Sequence, residues 1–299
     1  MERLDIDACP LCGGTRLRHV MTCTDFYASG EQFELCACEQ CGFMFTQGAP
    51  AEAEMGRYYA SPDYISHTDT RQGAMNFIYH IVRSYMLGRK ARLVAREAHR
   101  KTGRLLDIGT GTGYFAYAMA RRGWQVKAVE KSEQARAFAR EHFELAVKPE
   151  TALAGFAPES FDVITLWHVM EHLEDLNGTW ERIGKMLDKK GRLIVAVPNG
   201  SSYDAQRYGA YWAAYDVPRH LWHFTPDTIH QLAAQHGFVM TARHPMPFDA
   251  FYVSMLSEKH RGSSLSFAKG LYAGTLAWFS ALRQKERSSS MIYVFRKKG

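Results

Sequence analysis

The run Leu105-Leu106-Asp107-Ile108-Gly109-Thr110-Gly111-Thr112-Gly113-Tyr114-Phe115 most constrains what this chain can fold into. It reads as a buried strand, a turn with glycine at alternate positions, and the first turn of a helix. Glycines let the backbone bend tightly and approach a ligand, and a helix start offers unpaired N–H groups. The next apolar run ends in Glu130, placed to accept both hydroxyls of a ribose. A dinucleotide fingerprint would require glycine at the position Tyr114 holds. The loop therefore suits a ligand without a pyrophosphate, and a nicotinamide-dependent oxidoreductase is disfavoured.

Strands and helices alternate from 103 to about 245. Arg104–Ile108, Gln125–Glu130, Phe161–Leu166, Arg192–Val197 and Phe238–Arg243 read as strands. Tyr114–Arg122, Glu133–His142 and Leu176–Leu187 carry helical spacing, with Ser132 as a cap, and Thr225-Pro226-Asp227 opens a further helix that Gly237 ends. Such alternation predicts an α/β fold, a Rossmann-like sheet with helices on both faces. Ahead of it, Met75, Ile78, Val82, Tyr85, Met86, Leu93 and Val94 predict one helix. The expected division is a ribbon module at 1–48, a connecting segment at 49–100 and the α/β domain at 101–299.

All six cysteines precede residue 42. Four form the pairs Cys9-Pro10-Leu11-Cys12 and Cys38-Glu39-Gln40-Cys41, each followed by glycine. In a reducing compartment this spacing favours a tetrahedral four-thiolate zinc site over disulfides, with Cys23 and Cys36 outside it. A closed site of that kind is structural. Acidic Glu31, Glu34 and Glu39 in the same segment, and a net charge of +6 scattered as isolated basic pairs, argue against a nucleic-acid track. The start Met1-Glu2-Arg3-Leu4-Asp5 lacks the apolar stretch of a secretory signal, and a cytoplasmic protein is expected.

Over residues 100–245 the chain resembles the class I S-adenosylmethionine-dependent methyltransferases. The resemblance continues through Phe161-Asp162-Val163-Ile164 and His168-Val169-Met170-Glu171-His172-Leu173, which is similar to the branch containing ubiquinone O-methyltransferases. It implies a seven-stranded sheet whose last, antiparallel strand is Met291–Phe295. It also implies that Asp107, Gly109, Thr110, Gly111, Gly113, Tyr114 and Phe115 border the cofactor. Glu130 would hold the ribose, with Lys131 beside it, and Trp167 and His168 would lie next to the sulfonium. His168 and His172 are candidate bases, since histidine titrates near neutrality. The expected acceptor is a small molecule, a glycan or a lipid-linked compound, methylated on oxygen or carbon. An RNA methyltransferase, or a non-catalytic cofactor-binding scaffold docking through its ribbon, is the alternative.

Beyond the fifth strand, Tyr203, Tyr208, Tyr211, Trp212, Tyr215, Arg219, His220, Trp222 and His223 crowd where doubly wound sheets bind ligands. Arg219 is expected to grip an anionic group on the acceptor, and His220 or His223 to act as base. Tyr58, Tyr64 and His67 are expected to form a lid. Between 263 and 282, Leu265, Leu271, Tyr272, Leu276, Phe279 and Leu282 make a helical stripe. It fits a packed helix, a dimer seam or a peripheral membrane contact.

Overall fold

The computed structural model describes residues 3–59 and 74–299, with the side chains of 74–82 outside that description. The N-terminal part holds β1 (Arg3–Leu4), β2 (Leu17–Thr24), β3 (Gln32–Cys38), β4 (Met44–Gln47) and β5 (Ala49–Pro50). The helix Ala74–Glu97 leads to β6 (Arg104–Ile108), β7 (Gln125–Val129), β8 (Val147–Lys148), β9 (Phe161–Trp167) and β10 (Leu187–Pro198). Then follow β11 (Trp222–His223), β12 (Phe238–Pro245) and β13 (Ser290–Lys297).

Seven strands form one sheet in the order β12-β13-β10-β9-β6-β7-β8. Its pairings are parallel from β8 through β10, while β13 runs antiparallel to both β10 and β12. This is the expected Rossmann-like architecture. Successive strand residues serve opposite faces, as the pleat demands. Leu106, Ile108, Ile164, Leu166, Leu193 and Val195 join one core with Trp180, Ile183, Ile229 and Leu232 of the helices Leu176–Met186 and Pro226–Gln235. Leu105, Val163, Ile194 and Ala196 join the other with Ala91, Val94, Phe115 and Met119 of the helices Ala74–Glu97 and Tyr114–Ala120. Ser132 caps its helix as expected, and Thr225 forms a capping box with Thr228.

The ribbon is fused to this core. β2, β3 and β4 pair in sequence, and β11, from the segment after β10, adds to β4 antiparallel with Trp222 opposite Phe45. Phe33, Leu35, Phe43 and Phe45 share one continuous apolar cluster with Leu176, Trp180 and Trp222. The sequence reading missed β11 because two residues carry no periodicity.

Between β12 and β13 the chain inserts two packed helices, Asp249–His260 and Ser266–Arg283. Their contact is close because the second helix turns small residues inward: a Cβ on Gly270 would lie 2.5 Å from the Met255 Cα. Among the described residues no helix is long and apolar enough to cross a membrane.

Candidate active site

The carboxyl ends of β6, β7 and β9 bring the predicted cofactor residues together. After β6 the chain turns through Gly109 at φ +67° and Gly111 at φ +56°. A side chain on Gly109 would collide with Val169 Cγ2, whereas one on Gly111 would meet nothing within 4 Å. Crowding therefore explains the first glycine. Left-handed backbone explains the second, and its open side leaves room for a ligand. The Gly111 N–H donates to Glu130 Oε2 at 2.8 Å, and the Ser132 N–H donates to Glu130 Oε1 at 2.9 Å. Two backbone amides thus orient this carboxylate while each oxygen keeps accepting capacity.

Asp107 lies under the loop and accepts the Thr165 hydroxyl at 2.6 Å. Burial lifts its carboxyl to about 6, against the opposing pull of the Thr110 and Thr165 hydroxyls and of Lys90. Trp167 Nε1 is buried beside the Asp107–Thr165 pair without a hydrogen-bond partner. An orphaned polar atom of this kind beside an open loop suits a polar cofactor. Phe115 packs edge-on against Trp167, with ring centres 5.1 Å apart. Tyr114 turns away to Phe143 and the Arg83 guanidinium, and Gly113 packs on Ala139. Lys131 pairs with Glu52 at 2.6 Å.

His168 follows β9 at φ +57°, a conformation unusual for a residue with a side chain, anchored by its N–H to the Ala196 carbonyl. Its ring lies between two carboxylates: Nδ1 is 3.5 Å from Glu171 Oε1 and Nε2 is 3.5 Å from Asp249 Oδ2. Burial opposes protonation, but Asp249 and Glu171 outweigh it and raise the imidazole pKa to about 9. The Lys90 ammonium lies 4.4 Å from the centre of the Trp167 ring, and burial lowers its pKa. Lys90, Glu171 and Asp249 escaped assignment from sequence. Glu171 stands in the quoted motif and carried a signal. Asp249 comes from the insertion after β12, and nothing local marked it.

The acceptor-side residues are placed differently from expectation. Arg219 borders only a narrow cleft beside Tyr27, Trp212 and His260. Its guanidinium is fully buried, with Nη2 donating to Asp25 Oδ1 at 2.9 Å and Asp216 Oδ1 at 2.7 Å, and Nη1 donating to the Tyr58 carbonyl at 2.8 Å. An arginine so committed ties the ribbon to the core and has no edge to offer an acceptor. His223 is also internal: its Nε2 is 3.0 Å from Thr46 Oγ1, and burial pushes its pKa down to about 3. Tyr58 is fully buried and donates to Glu31 at 2.9 Å, which removes it from any lid; Tyr64 and His67 lie outside the described residues.

His220 lies beside His172, ring centres 4.5 Å apart. Each Nδ1 faces a backbone carbonyl, Ala214 at 2.9 Å for His220 and Arg219 at 3.0 Å for His172. With Glu171, the two rings form a group whose ligating atoms all lie within 4.8 Å of one another. The carboxylate that the sequence did not place near His220 is therefore present, and His172 rather than His223 is its companion. Burial lowers the His172 pKa to about 4.

The sequence profile of the methyltransferase-domain family matches residues 80–243, more than half of the chain. The chain belongs to this family. Among curated proteins, this methyltransferase-family chain is similar to the ubiquinone biosynthesis O-methyltransferase of Bradyrhizobium diazoefficiens, at 29% identity over 50% of the chain and 63% of the relative. The protein of the same name from Caulobacter is 37% identical over 32% of the chain and 41% of the relative. The chain thus spans less than two thirds of these relatives. A solved structure from Galdieria sulphuraria, proposed as a sarcosine dimethylglycine methyltransferase, shares the fold with a TM-score of 0.50 at 15% identity, covering 73% of this chain and 86% of that one.

Ahead of the methyltransferase domain, Cys9, Cys12, Cys38 and Cys41 converge as the sequence expected, with Sγ atoms within 4.8 Å of one another and Cys23 and Cys36 outside the group. Cys9 and Cys41 sulfurs are 3.5 Å apart, as are those of Cys12 and Cys38. Burial would raise the Cys38 thiol, yet the N–H groups of Cys41 and Gln40 bring its pKa down to about 7. Four convergent thiols with amides directed at sulfur are a donor set that fits zinc.

Proposed function

We propose that this protein transfers a methyl group from S-adenosylmethionine to a hydroxyl of a small-molecule acceptor with an apolar body. The observation that carries the reading is the Gly111–Glu130–Ser132 arrangement beside an open glycine loop, one strand from His168. Relatives named for O-methylation in ubiquinone biosynthesis favour oxygen as the acceptor atom and an apolar, lipid-linked compound over a glycan. Cys9, Cys12, Cys38 and Cys41 would hold one structural zinc, and their thiolates suit a reducing, cytoplasmic setting.

In this reading Glu130 accepts the ribose hydroxyls and Gly111 leaves space for the cofactor. Asp107, Thr110, Lys90 and Trp167 surround its methionine part. When bound, S-adenosylmethionine supplies an electrophilic methyl on a sulfonium. The chain then has to align the acceptor oxygen and take its proton. His168 would be the base: with Nδ1 held toward Glu171, Nε2 of the neutral ring would exchange its Asp249 contact for the acceptor hydroxyl and take that proton, the bound cofactor supplying the methyl group. Asp249 and Glu171 stabilise the resulting imidazolium. A strong base sparsely populated at neutral pH is what two flanking carboxylates produce.

The test is calorimetry of S-adenosylmethionine binding with Glu130→Ala, alongside S-adenosylhomocysteine formation from alkyl-substituted phenols. Loss of a charged acceptor should weaken binding by about 1–3 kcal/mol, roughly 5- to 150-fold. Unchanged affinity would remove Glu130 from the site, and binding without turnover on any hydroxyl acceptor would favour the scaffold reading.

A further inference from the structure

The helix Ser266–Arg283 carries its bulk on the outside. Its buried residues are Gly270, Ala273, Gly274, Ala277 and Ala281, which pack against Asp249–His260. The large side chains face solvent: Phe267 is 62% exposed, Leu271 47%, Tyr272 64%, Phe279 52% and Leu282 59%. At 100° per residue these five fall within an arc of about 140°. A soluble surface helix normally places such residues inward. Here the close approach to the neighbouring helix leaves space only for small ones.

Along this stretch of chain the charge is of one sign up to Glu286, which pairs with Arg243. From Lys259 to Lys285 the sequence has five Lys and Arg residues and no Asp or Glu. All five (Lys259, Arg261, Lys269, Arg283 and Lys285) are exposed. A second copy of this chain on the same face would bring like charges together, which opposes self-association. An anionic bilayer would neutralise them while its acyl boundary took the aromatic and leucine side chains. Phe248, the N-terminal cap of the neighbouring helix, and Tyr252, one turn into it, are 42% and 48% exposed and bracket Asp249, which reaches His168.

We propose that the outer face of Ser266–Arg283 docks the protein peripherally on an anionic bilayer and holds the His168 site at the membrane surface, where an acceptor with an apolar tail resides. The docking stands on the helix alone; the delivery of acceptor rests on the methyl-transfer reading.

The experiment is co-sedimentation of the full chain with phosphatidylcholine vesicles, with and without phosphatidylglycerol. The wild type should bind the anionic vesicles at least about tenfold more tightly than the neutral ones. Phe267→Ser/Tyr272→Ser/Phe279→Ser should lose about tenfold or more of that binding, and Lys269→Glu/Arg283→Glu, which leaves the apolar residues intact, should lose a comparable amount. Both variants should keep wild-type thermal unfolding and wild-type affinity for S-adenosylmethionine. Wild-type protein left in the supernatant overturns the proposal, as does a dimer in sedimentation equilibrium that the triple variant abolishes. S-adenosylhomocysteine formation from a short, water-soluble phenol separates the two readings. Turnover without docking leaves methyl transfer standing and docking refuted; docking without turnover does the reverse.

Discussion

Asp249→Asn isolates the electrostatics of His168. The ring has one carboxylate 3.5 Å from each nitrogen, and together they lift its pKa from 6.5 to about 9 despite burial. Replacing Asp249 by its amide isostere removes one of two comparable charges and leaves the burial cost in place, so the pKa should fall by roughly one unit or slightly more. The neutral fraction at pH 7 then rises about tenfold. A weaker base costs on the order of threefold in intrinsic rate, so turnover at pH 7 should rise about threefold while the alkaline plateau falls by a similar factor. The sign for stability follows the same way. A pKa raised on folding contributes stability that is fully present below 6.5 and is lost as pH climbs through about 9. With the side chain 34% exposed, screening limits that contribution to about 1 kcal/mol. The wild type should therefore lose thermal stability between pH 6.5 and 9, and the variant should lose less. The assays are the pH profile of kcat/KM, thermal melts across that range and the NMR titration of His168. An acid limb near pH 4–5, or one that Asp249→Asn leaves in place, would assign the proton to a carboxylate and refute the reasoning.

Two further outcomes follow from the ribbon. Arg219→Ala strands the buried Asp25 and Asp216 carboxylates and should cost about 3–5 kcal/mol in urea unfolding, with the acceptor KM of the folded fraction unchanged; a raised KM at wild-type stability would restore the acceptor-binding role. Elemental analysis should find one zinc per chain. Because β4 pairs with β11, removing the metal or introducing Cys38→Ser should expose amides in both the ribbon and segment 213–224 to hydrogen exchange while β6 and β9 stay protected. Protection loss confined to 9–47 would show that the ribbon unfolds alone.

The parts legible from sequence are those whose physics is local. The β6 turn needs its glycines wherever the chain runs, the apolar strands announce themselves by composition, and paired CxxC motifs define a donor set before any fold exists. Residues whose role depends on partners far along the chain were not legible. Arg219 in an aromatic-rich segment looks the same whether it meets an acceptor or two buried aspartates, and Asp25, 194 residues away, decides which. Asp249 is similar: an acidic residue opening a helix is ordinary until the fold sets it against His168. The helix Ser266–Arg283 was half legible, since its stripe is periodic but which side faces inward is set by the close packing at Gly270.

The ribbon and the reactive loop are one mechanical unit. The β4 residue Thr46 donates its N–H to the Leu221 carbonyl at 2.9 Å, and Leu221 donates its N–H to the Glu171 carbonyl at 2.8 Å. Thr46 Oγ1 donates to the His220 carbonyl at 2.7 Å, and Trp222 Nε1 donates to the Leu173 carbonyl at 2.6 Å. Arg219 closes the frame, its carbonyl accepting from His172 Nδ1 and its guanidinium held by Asp25 of the ribbon. Glu171, whose carboxylate lies against His168, is thus positioned through bonds that end on a ribbon strand. Glu130 is not: its contacts are with Gly111 and Ser132, on the β6 and β7 side of the sheet. Loosening the ribbon therefore acts on the histidine and the carboxylate beside it, and leaves the Glu130 side intact. A fold that merely tethered the ribbon would place these hydrogen bonds within each part. Here they run across the boundary and converge on the loop that carries the proposed base.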